Sequence, residues 1–280
     1  MSEALLFLIG LLVSAFGTVV GFGGGVFMVP VLIVLFGFSV ELAIGSVMVS
    51  LVPASLIASF FNYREKNIDY LVATLIQFPA VAGTVLGAFL VAFLPLLEMQ
   101  FIFAFFVISV GFYFLFGPKK KKAELHHSGV MYRIRRMPTS FIRTNRTKHL
   151  AYRLNGGLVG FFGFFSGTVS GLFGIGGGFL QTPIMIKIFR MPPQIATSTS
   201  LFILIITSVT GSISHLLLGH VQWSKSFPLI LAFAIGAFMG NSVKKKRAKK
   251  ANFEKLIGYG LMLAGLAVIL NLLIKYEWLN

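Results

Sequence analysis

A glycine-rich block occurs twice in this chain, as Gly21-Phe22-Gly23-Gly24-Gly25 and, 153 positions later, as Gly174-Ile175-Gly176-Gly177-Gly178. Both blocks interrupt long apolar runs, and each is followed by a proline, Pro30 or Pro183. Glycine is a poor helix former, and a helix that breaks inside a membrane leaves backbone groups that need new partners. The two blocks therefore predict broken helices at matching positions in two halves of the chain.

The same offset of 153 brings further residues into register without a gap as far as Gly87, which matches Gly240. Ala43 matches Ala196 in the same way. An ungapped register over this length indicates an internal duplication with five hydrophobic segments in each half. The ten segments are about 4–20, 26–38, 43–61, 71–94, 99–117, 154–173, 179–189, 195–218, 226–242 and 255–274.

The composition indicates a membrane protein. Of the 280 residues, 56% are hydrophobic and only 11% are charged, whereas about a quarter of a soluble domain is charged. Several runs approach the roughly 20 apolar residues that span a bilayer. We therefore predict an all-α polytopic integral membrane protein of two inverted repeats, with broken or re-entrant helices at the glycine motifs. The first segment carries Glu3 and lacks signal-peptide features, so we expect it to be part of the fold.

The basic residues fall almost entirely in a few loops. The net charge of +16 is therefore better explained by the positive-inside rule than by nucleic-acid binding. The sequence predicts an N-terminal transmembrane repeat over 1–117, a basic cytoplasmic linker over 118–153 and a C-terminal transmembrane repeat over 154–280. An inverted repeat also places loop 243–254 in the cytoplasm and both termini outside. Of the 24 Lys and Arg residues, only Lys225 and Lys275 are then predicted outside.

The segments that follow the glycine blocks are too short to span a bilayer. Val26 to Phe38 is 13 residues, or about 20 Å of helix, against a hydrocarbon core of about 30 Å. Each segment is expected to be a half-helix or re-entrant element whose N-terminus begins near the midplane. Such a terminus offers unpaired N–H groups and a partial positive charge, which suit an anion. The candidate backbone donors are Gly23, Gly24, Gly25, Gly176, Gly177 and Gly178.

Close helix packing is the alternative explanation of these glycines. The two prolines, Pro30 and Pro183, are expected to kink the helices that follow.

Polar side chains near these termini are further candidates for the substrate site. Four hydroxyl residues lie in a row at Thr197-Ser198-Thr199-Ser200, and the first half carries Ser46 in the equivalent region. Hydroxyls donate hydrogen bonds to oxyanions, although a helix N-cap would also account for one of them. Gln181 and Thr182 are expected to line the same pathway.

One ionisable residue, His215, falls near the end of an apolar segment. An ionisable group inside a membrane is a functional candidate, and a histidine is suited to carrying a coupling proton. A position at the headgroup level, as expected for His220, is the alternative. No acidic residue falls deep in a predicted span, and Asp69, Glu41 and Glu98 are expected to be solvated loop charges. A pathway of N–H groups and hydroxyls without a carboxylate suits an anion.

Other function classes lack their motifs. The fragment Gly21-x-Gly23 is not surrounded by the βαβ unit of a dinucleotide site. The chain has no cysteine, and His126-His127 is a weak metal signal in a polar loop. Ser166 or Ser170 with His215 lacks the motif of a serine nucleophile. We therefore expect no enzymatic activity, no cofactor, no metal and no nucleic-acid partner.

The chain resembles the TauE/SafE sulfite exporter family, also called the toluene-sulfonate uptake permease family. The resemblance rests on the blocks Gly21–Pro30 and Gly174–Pro183, on the Ala-Thr-Ser-Thr-Ser run at 196–200 and on the Gly-His-Val-x-Trp turn at 219–223. It implies a permease for small anions such as sulfite or organosulfonates, with the six glycines as the substrate cradle and the four hydroxyls as added ligands. The linker 118–153 is longer and more basic than the resemblance leads us to expect.

The sequence therefore predicts a secondary transporter of small anions that works by alternating access around a midplane site. The expected partners are a small anionic substrate and the lipid bilayer, with a proton or a sodium ion for coupling, and a homo-oligomer is compatible with them. Two alternatives remain open at this point. One is an anion channel, and the other is a membrane adaptor whose basic loop docks a partner or anionic lipid.

Overall fold

The computed structural model describes residues 3–117, 140–145, 150–244 and 251–277. Within these ranges the chain forms ten helices and one short β-hairpin. The helices of the first half are α1 (Glu3–Val20), α2 (Gly25–Phe36), α3 (Val40–Arg64), α4 (Tyr70–Val91) and α5 (Leu96–Phe116). Those of the second half are α6 (Gly156–Phe173), α7 (Gly178–Lys187), α8 (Pro193–Leu217), α9 (Trp223–Lys244) and α10 (Ala251–Glu277). The strands are β1 (Ser140–Asn145) and β2 (Leu150–Asn155).

The all-α polytopic fold predicted from the sequence is confirmed. Eight of the described helices are long and apolar enough to cross a membrane. The two strands pair antiparallel and begin within the range predicted as a linker, but β2 extends two residues beyond it, to Asn155. The lysine runs at 119–122 and 245–250 lie outside the described residues, so the division into domains and the cytoplasmic placement of these loops remain predictions.

Local capping signals set several helix starts. Ser39 accepts a hydrogen bond from the N–H of Leu42 at the start of α3, and Asn155 accepts one from Leu158 at the start of α6. These side chains satisfy N–H groups that the first turn leaves without a helical acceptor. Pro193 opens α8, where its missing N–H is no loss.

Equivalent helices of the two halves run antiparallel. In α3 and α8, Asn62 contacts Ser198, whereas Met48, earlier in α3, lies against Gly211, later in α8. The helices α5 and α10 are also antiparallel, with Leu115 beside Gly258 and Ile108 beside Gly265. The second half therefore has the inverted orientation that the charge distribution predicts.

Non-equivalent helices pack in parallel pairs, α4 with α6 and α1 with α9. The backbones approach closely because glycines lie at the contacts. A Cβ on Gly83 of α4 would lie 2.1 Å from the carbonyl oxygen of Phe164, and one on Gly167 of α6 would lie 2.1 Å from that of Ala80. Gly236 and Gly240 of α9 approach α1 in the same manner. Close packing therefore explains these four glycines, which lie outside the two glycine-rich blocks.

The helices α1 and α2 form a helical hairpin that enters the molecule from one end. The link after α2 lies near the start of α9, because the Lys225 ammonium is 5.1 Å from the centre of the Phe38 ring. Since α1 runs parallel to α9, the beginning of α1 also lies near the start of α9. The beginning of α1 and the end of α2 therefore lie at the same side of the molecule. We call it the Glu41 end, after the glutamate in the first turn of α3.

The helices α6 and α7 form the matching hairpin from the opposite end. Tyr152 and Leu154 of β2 lie in one apolar cluster with Met185 of α7 and Phe189 beyond it. The beginning of α6 and the end of α7 are therefore neighbours. We call this the linker end, and Lys187 and Arg64 also lie there. Both short helices are thus re-entrant, as their length predicts.

Candidate functional site

The two helical hairpins meet at their glycine-rich turns in the centre of the molecule. We call residues 21–24 the first tip and residues 174–177 the second tip. A Cβ on Gly25 would lie 2.9 Å from the carbonyl oxygen of Ile175, and one on Gly178 would lie 3.5 Å from that of Gly21. The structure thus brings together the six glycines that the sequence singles out. All of them are buried.

The two tips differ in how their N–H groups are used. In the first tip, the carbonyl of Gly17 accepts hydrogen bonds from the N–H groups of Gly21, Phe22 and Gly23 at 2.8–3.1 Å. In the second tip, Gly174 alone donates back to its helix, to Ser170 at 2.9 Å.

The second tip consequently keeps the longer row of free donors. From the second tip into the start of α7, the N–H groups of residues 175–180 donate to no oxygen among the described residues. From the first tip into the start of α2, only the N–H groups of residues 24–26 are free in this way. The donors at the start of α7 point along the helix axis and add to its partial positive charge. The second tip is therefore the stronger potential anion site.

Buried polar side chains lie in the helix turns on either side of the second tip. Gln181 is buried, its amide nitrogen lies 3.3 Å from Ser166 Oγ, and its amide oxygen has no hydrogen-bond partner among the described residues. Ser170 Oγ is also buried without a partner there. The matching positions of the first half are Met28, Val13 and Gly17, none of which has a polar side chain.

Three further predicted residues lie at the tips, but their hydroxyls bind protein carbonyls. Thr182 donates to the carbonyl of Gly21 at 3.3 Å and so joins the two tips. Ser200 donates to the carbonyl of Gly178 at 3.0 Å. Thr197 places its methyl group against Gly21 and donates to its own helix at Pro193, at 2.6 Å.

The structure does not bring the remaining hydroxyls to the tips. Ser198 donates to Asn62 at 2.9 Å, and Thr199 accepts from the backbone N–H of Asp69 at 3.1 Å, both toward the linker end. Ser46 accepts from Ser226 at 2.8 Å, nearer the Glu41 end. Successive helix residues point about 100° apart, so four consecutive hydroxyls cannot face one ligand.

The two prolines occupy matching positions inside the short helices. Pro30 lies five residues after the start of α2, and Pro183 lies five residues after the start of α7. Because proline has no N–H, the carbonyls of Val26 and Phe179 lose their usual helical donor. Whether the helices kink there stays a prediction.

Sequence reasoning missed a pair of histidines. His215 is buried, with Nε2 2.9 Å from the carbonyl oxygen of Gly171 and Nδ1 3.0 Å from Nδ1 of His220. The left-handed Gly219 turns the chain back after α8, and this brings together two residues that are five positions apart. The pair lies at the Glu41 end. The glycine two residues after the end of α8 is the sequence signal that could have predicted it.

Asp69 is not the solvated loop charge that the sequence predicts. It is buried at the start of α4, accepts a hydrogen bond from the N–H of Val72 and receives one from the hydroxyl of Tyr152. Strand β2 therefore binds the transmembrane helices directly. The partner is 83 positions away in sequence, which explains why local patterns did not predict it.

The fold defines a polytopic integral membrane protein whose inverted halves meet at two re-entrant helical hairpins. A family model described as sulfite exporter TauE/SafE matches residues 6–268. The chain therefore belongs to the TauE/SafE sulfite exporter family, and it is a membrane transporter rather than an enzyme.

Several relatives are named as membrane transporters or as members of this family. Bacillus subtilis YunE, named a probable membrane transporter protein, is 27% identical over 257 residues, which cover 89% of this chain and 91% of the relative. YdhB from the same species is 25% identical over 92% of this chain and 97% of its own length. The Arabidopsis thaliana sulfite exporter TauE/SafE family protein 3 is 29% identical over 30% of this chain and 18% of its own. No solved structure shows a significant match.

Proposed function

We propose that this protein is a secondary transporter of small oxyanions, such as sulfite or an organosulfonate, and that the substrate binds at the second tip. The observation that carries the proposal is the meeting of two re-entrant helix N-termini at the centre of the molecule. The substrate class is supported by the family membership and by the name of the Arabidopsis relative.

The chemistry of the second tip fits an oxyanion. The free N–H groups at Gly176, Gly177 and Gly178 are donors at the positive end of a helix, and in a site without water such donors bind an anion strongly. The Ser170 hydroxyl adds a donor, and so does the amide of Gln181 after a rotation. Neither tip contains an Asp or Glu; Glu41, in the first turn of α3, lies three residues before Ile44, which contacts Gly174.

The arrangement of the hairpins suggests how access alternates. One hairpin enters from the Glu41 end and the other from the linker end, and few direct bonds join them at the centre. A small rocking of one half against the other would open the tips to one end and close them to the other. The Thr182–Gly21 hydrogen bond lies across the contact that would have to open.

The test is transport into proteoliposomes. Purified protein is reconstituted, and uptake of radiolabelled sulfite and of a small sulfonate is measured with and without a proton or sodium gradient. The informative variant is Gly177→Ala. Gly177 has a helical φ of −57°, and an added Cβ would meet only the flexible end of Gln181, at 2.8 Å. The variant should therefore fold, with the methyl group placed among the free donors.

We expect the wild type to show saturable uptake and Gly177→Ala to raise KM at least about tenfold, which corresponds to about 1.4 kcal/mol of binding. The matched control is Gly160→Ala in α6, where an added Cβ meets nothing within 4 Å. It should transport like the wild type. Normal uptake by Gly177→Ala, or no saturable uptake of either anion by folded wild-type protein, contradicts the proposal.

The same assay separates the two alternatives. A channel would conduct without saturation and without dependence on a second ion, whereas a carrier saturates. An adaptor whose basic linker binds a partner would show no uptake at all, and its cellular phenotype would disappear when residues 118–139 are deleted.

A further inference from the structure

We propose that His215 and His220 form one proton-binding site that takes up a single proton from the Glu41 end of the molecule. Its assignment as the coupling site rests on the proposed function, but proton binding by the pair does not. The proposal is carried by the Nδ1···Nδ1 contact of 3.0 Å and by the second hydrogen bond of His215.

The hydrogen bonds fix where the protons lie. A carbonyl oxygen can only accept, so Nε2 of His215 must carry a hydrogen and donate it to Gly171. In a neutral His215, Nδ1 is then an acceptor, and Nδ1 of His220 must be the donor. Two ring nitrogens of the neutral pair then carry no hydrogen. Nδ1 of His215 accepts from His220, and Nε2 of His220 is the nitrogen left to bind an added proton.

This arrangement allows one added proton and no more. A proton that binds Nε2 of His220 leaves every other hydrogen bond in place. The hydrogen between the two Nδ1 atoms can then move to His215, which carries the positive charge inward while Nδ1 of His220 becomes the acceptor. Two added protons would put hydrogens on both Nδ1 atoms and two like charges beside each other, which is strongly unfavourable.

The surroundings support a proton that enters from outside the helices. His215 is completely buried, whereas His220 is half-buried in the turn after α8. Burial lowers the pKa of His220 from its ordinary value of 6.5, and the nearby Glu41 carboxylate opposes this shift. His220 is therefore neutral at neutral pH, and the pair takes its proton through His220 as the solution at the Glu41 end becomes acidic.

Few other charges act on the pair. From α3 the charged group that acts on His220 is Glu41. The charged group in the first turn of α9 is Lys225, and its ammonium lies over the Phe38 ring. The described sequence of α6 has no titratable side chain, and in α4 only Tyr70 titrates, at the other end of the helix. Glu41 is thus the attractive charge for a proton on His220.

The site is next to the second tip. Gly171 lies in the last turn of α6, three residues before Gly174. A positive charge on His215 would lie at the negative end of α6, where the helix dipole stabilises it. It would also favour an anion bound at the tip, so that a proton and an anion bind together.

The inverted repeat supplies a matched variant. The residue equivalent to His215 in the first half is Asn62, which also contacts the opposite half but does not titrate. His215→Asn therefore installs the side chain that the fold already accepts at the equivalent position. His220→Asn removes the outer half of the pair.

The first measurement is NMR of the ¹⁵N-labelled imidazoles in the full-length protein in nanodiscs, from about pH 4 to about pH 8. We expect the nitrogens of His215 and His220 to change together in one transition that adds one proton. In His215→Asn, His220 should titrate alone with a changed midpoint. Independent transitions, an unchanged His220 midpoint in His215→Asn or no proton uptake by the pair overturns the proposal.

The second measurement is the rate of sulfite uptake into proteoliposomes as a function of the direction of an applied pH gradient. We expect His220→Asn and His215→Asn to retain exchange of sulfite for sulfite but to lose acceleration by the gradient. Full gradient dependence in both variants refutes the coupling role. If wild-type protein shows a one-proton transition but no uptake of any anion, the proposed function fails and the proton site stands.

Discussion

Leu51 of α3 and Leu204 of α8 contact the same two glycines at the centre of the molecule. A Cβ on Gly23 would lie 2.9 Å from a methyl carbon of Leu51 and 2.6 Å from one of Leu204. A Cβ on Gly176 would lie 3.0 Å and 2.5 Å from the other methyl carbons of the same residues. The two leucines are 153 positions apart, as are the two glycines, so this contact lies on the pseudo-two-fold axis.

Leu51→Ala and Leu204→Ala should destabilise the protein by similar amounts. Both side chains are completely buried, and a leucine-to-alanine cavity in such a position costs about 2–5 kcal/mol. Because both leucines contact Gly23 and Gly176, the double variant should depart from additivity by about 0.5–3 kcal/mol. The free energies of unfolding of the two single variants and the double variant are measured in mixed detergent. The control is Leu12→Ala, on a lipid-facing side chain. Additive effects would mean that the two leucines do not share one packing site.

Gly176→Ala should lower the free energy of unfolding, whereas the neighbouring Gly177→Ala should change it little. Gly176 has a φ of +72°, a left-handed conformation that costs a residue with a Cβ about 1–2 kcal/mol. The added methyl group also meets Leu204. The measurement is thermal unfolding of both variants in the same detergent. Equal stability of the two variants would contradict the conformation of the second tip.

Thr182→Val should weaken the contact between the tips. The variant keeps the shape of the side chain and installs the residue found at the matching position of the first half, Val29. It removes the hydrogen bond to Gly21, and the expected loss is about 0.5–1.5 kcal/mol.

The control for Thr182→Val is Thr207→Val, which removes only bonds of Thr207 to its own helix. If the tips separate during transport, Thr182→Val should also change the uptake rate, whereas Thr207→Val should not. Equal behaviour of the two variants would show that the bond across the tips contributes nothing specific.

Tyr152→Phe should release strand β2 from the transmembrane helices. The phenolic hydroxyl binds the Asp69 carboxylate in a buried position, and a hydrogen bond to such a group contributes about 1.5–3 kcal/mol. We expect faster proteolysis and faster hydrogen exchange in residues 150–155, with little change in the helices. Tyr259→Phe, on an exposed side chain of α10, is the control. Unchanged protection of β2 would mean that Leu154 and its apolar neighbours hold the strand without this bond.

Much of the fold was predictable because hydrophobic length and helix-breaking residues are local signals. The ten segments, the break after Val20 and the break after Phe173 all appear in the structure within a few residues. The contacts of Thr199 with Asp69 and of Asp69 with Tyr152 were not predictable in this way. They join residues that are distant in sequence, and no periodic pattern encodes which distant side chains meet.

The sequence by itself determined that the chain is a duplicated, inverted set of membrane helices with paired breaks at two glycine blocks. Length, hydropathy and charge are sufficient for this, because the bilayer permits few arrangements of such segments. Only the tertiary structure decided that the two tips are unequal. The carbonyl of Gly17 satisfies three donors in the first tip, while the second tip keeps its donors free beside Gln181 and Ser170. Hydrogen bonding depends on the positions of individual atoms, and two nearly identical glycine blocks can differ in it completely.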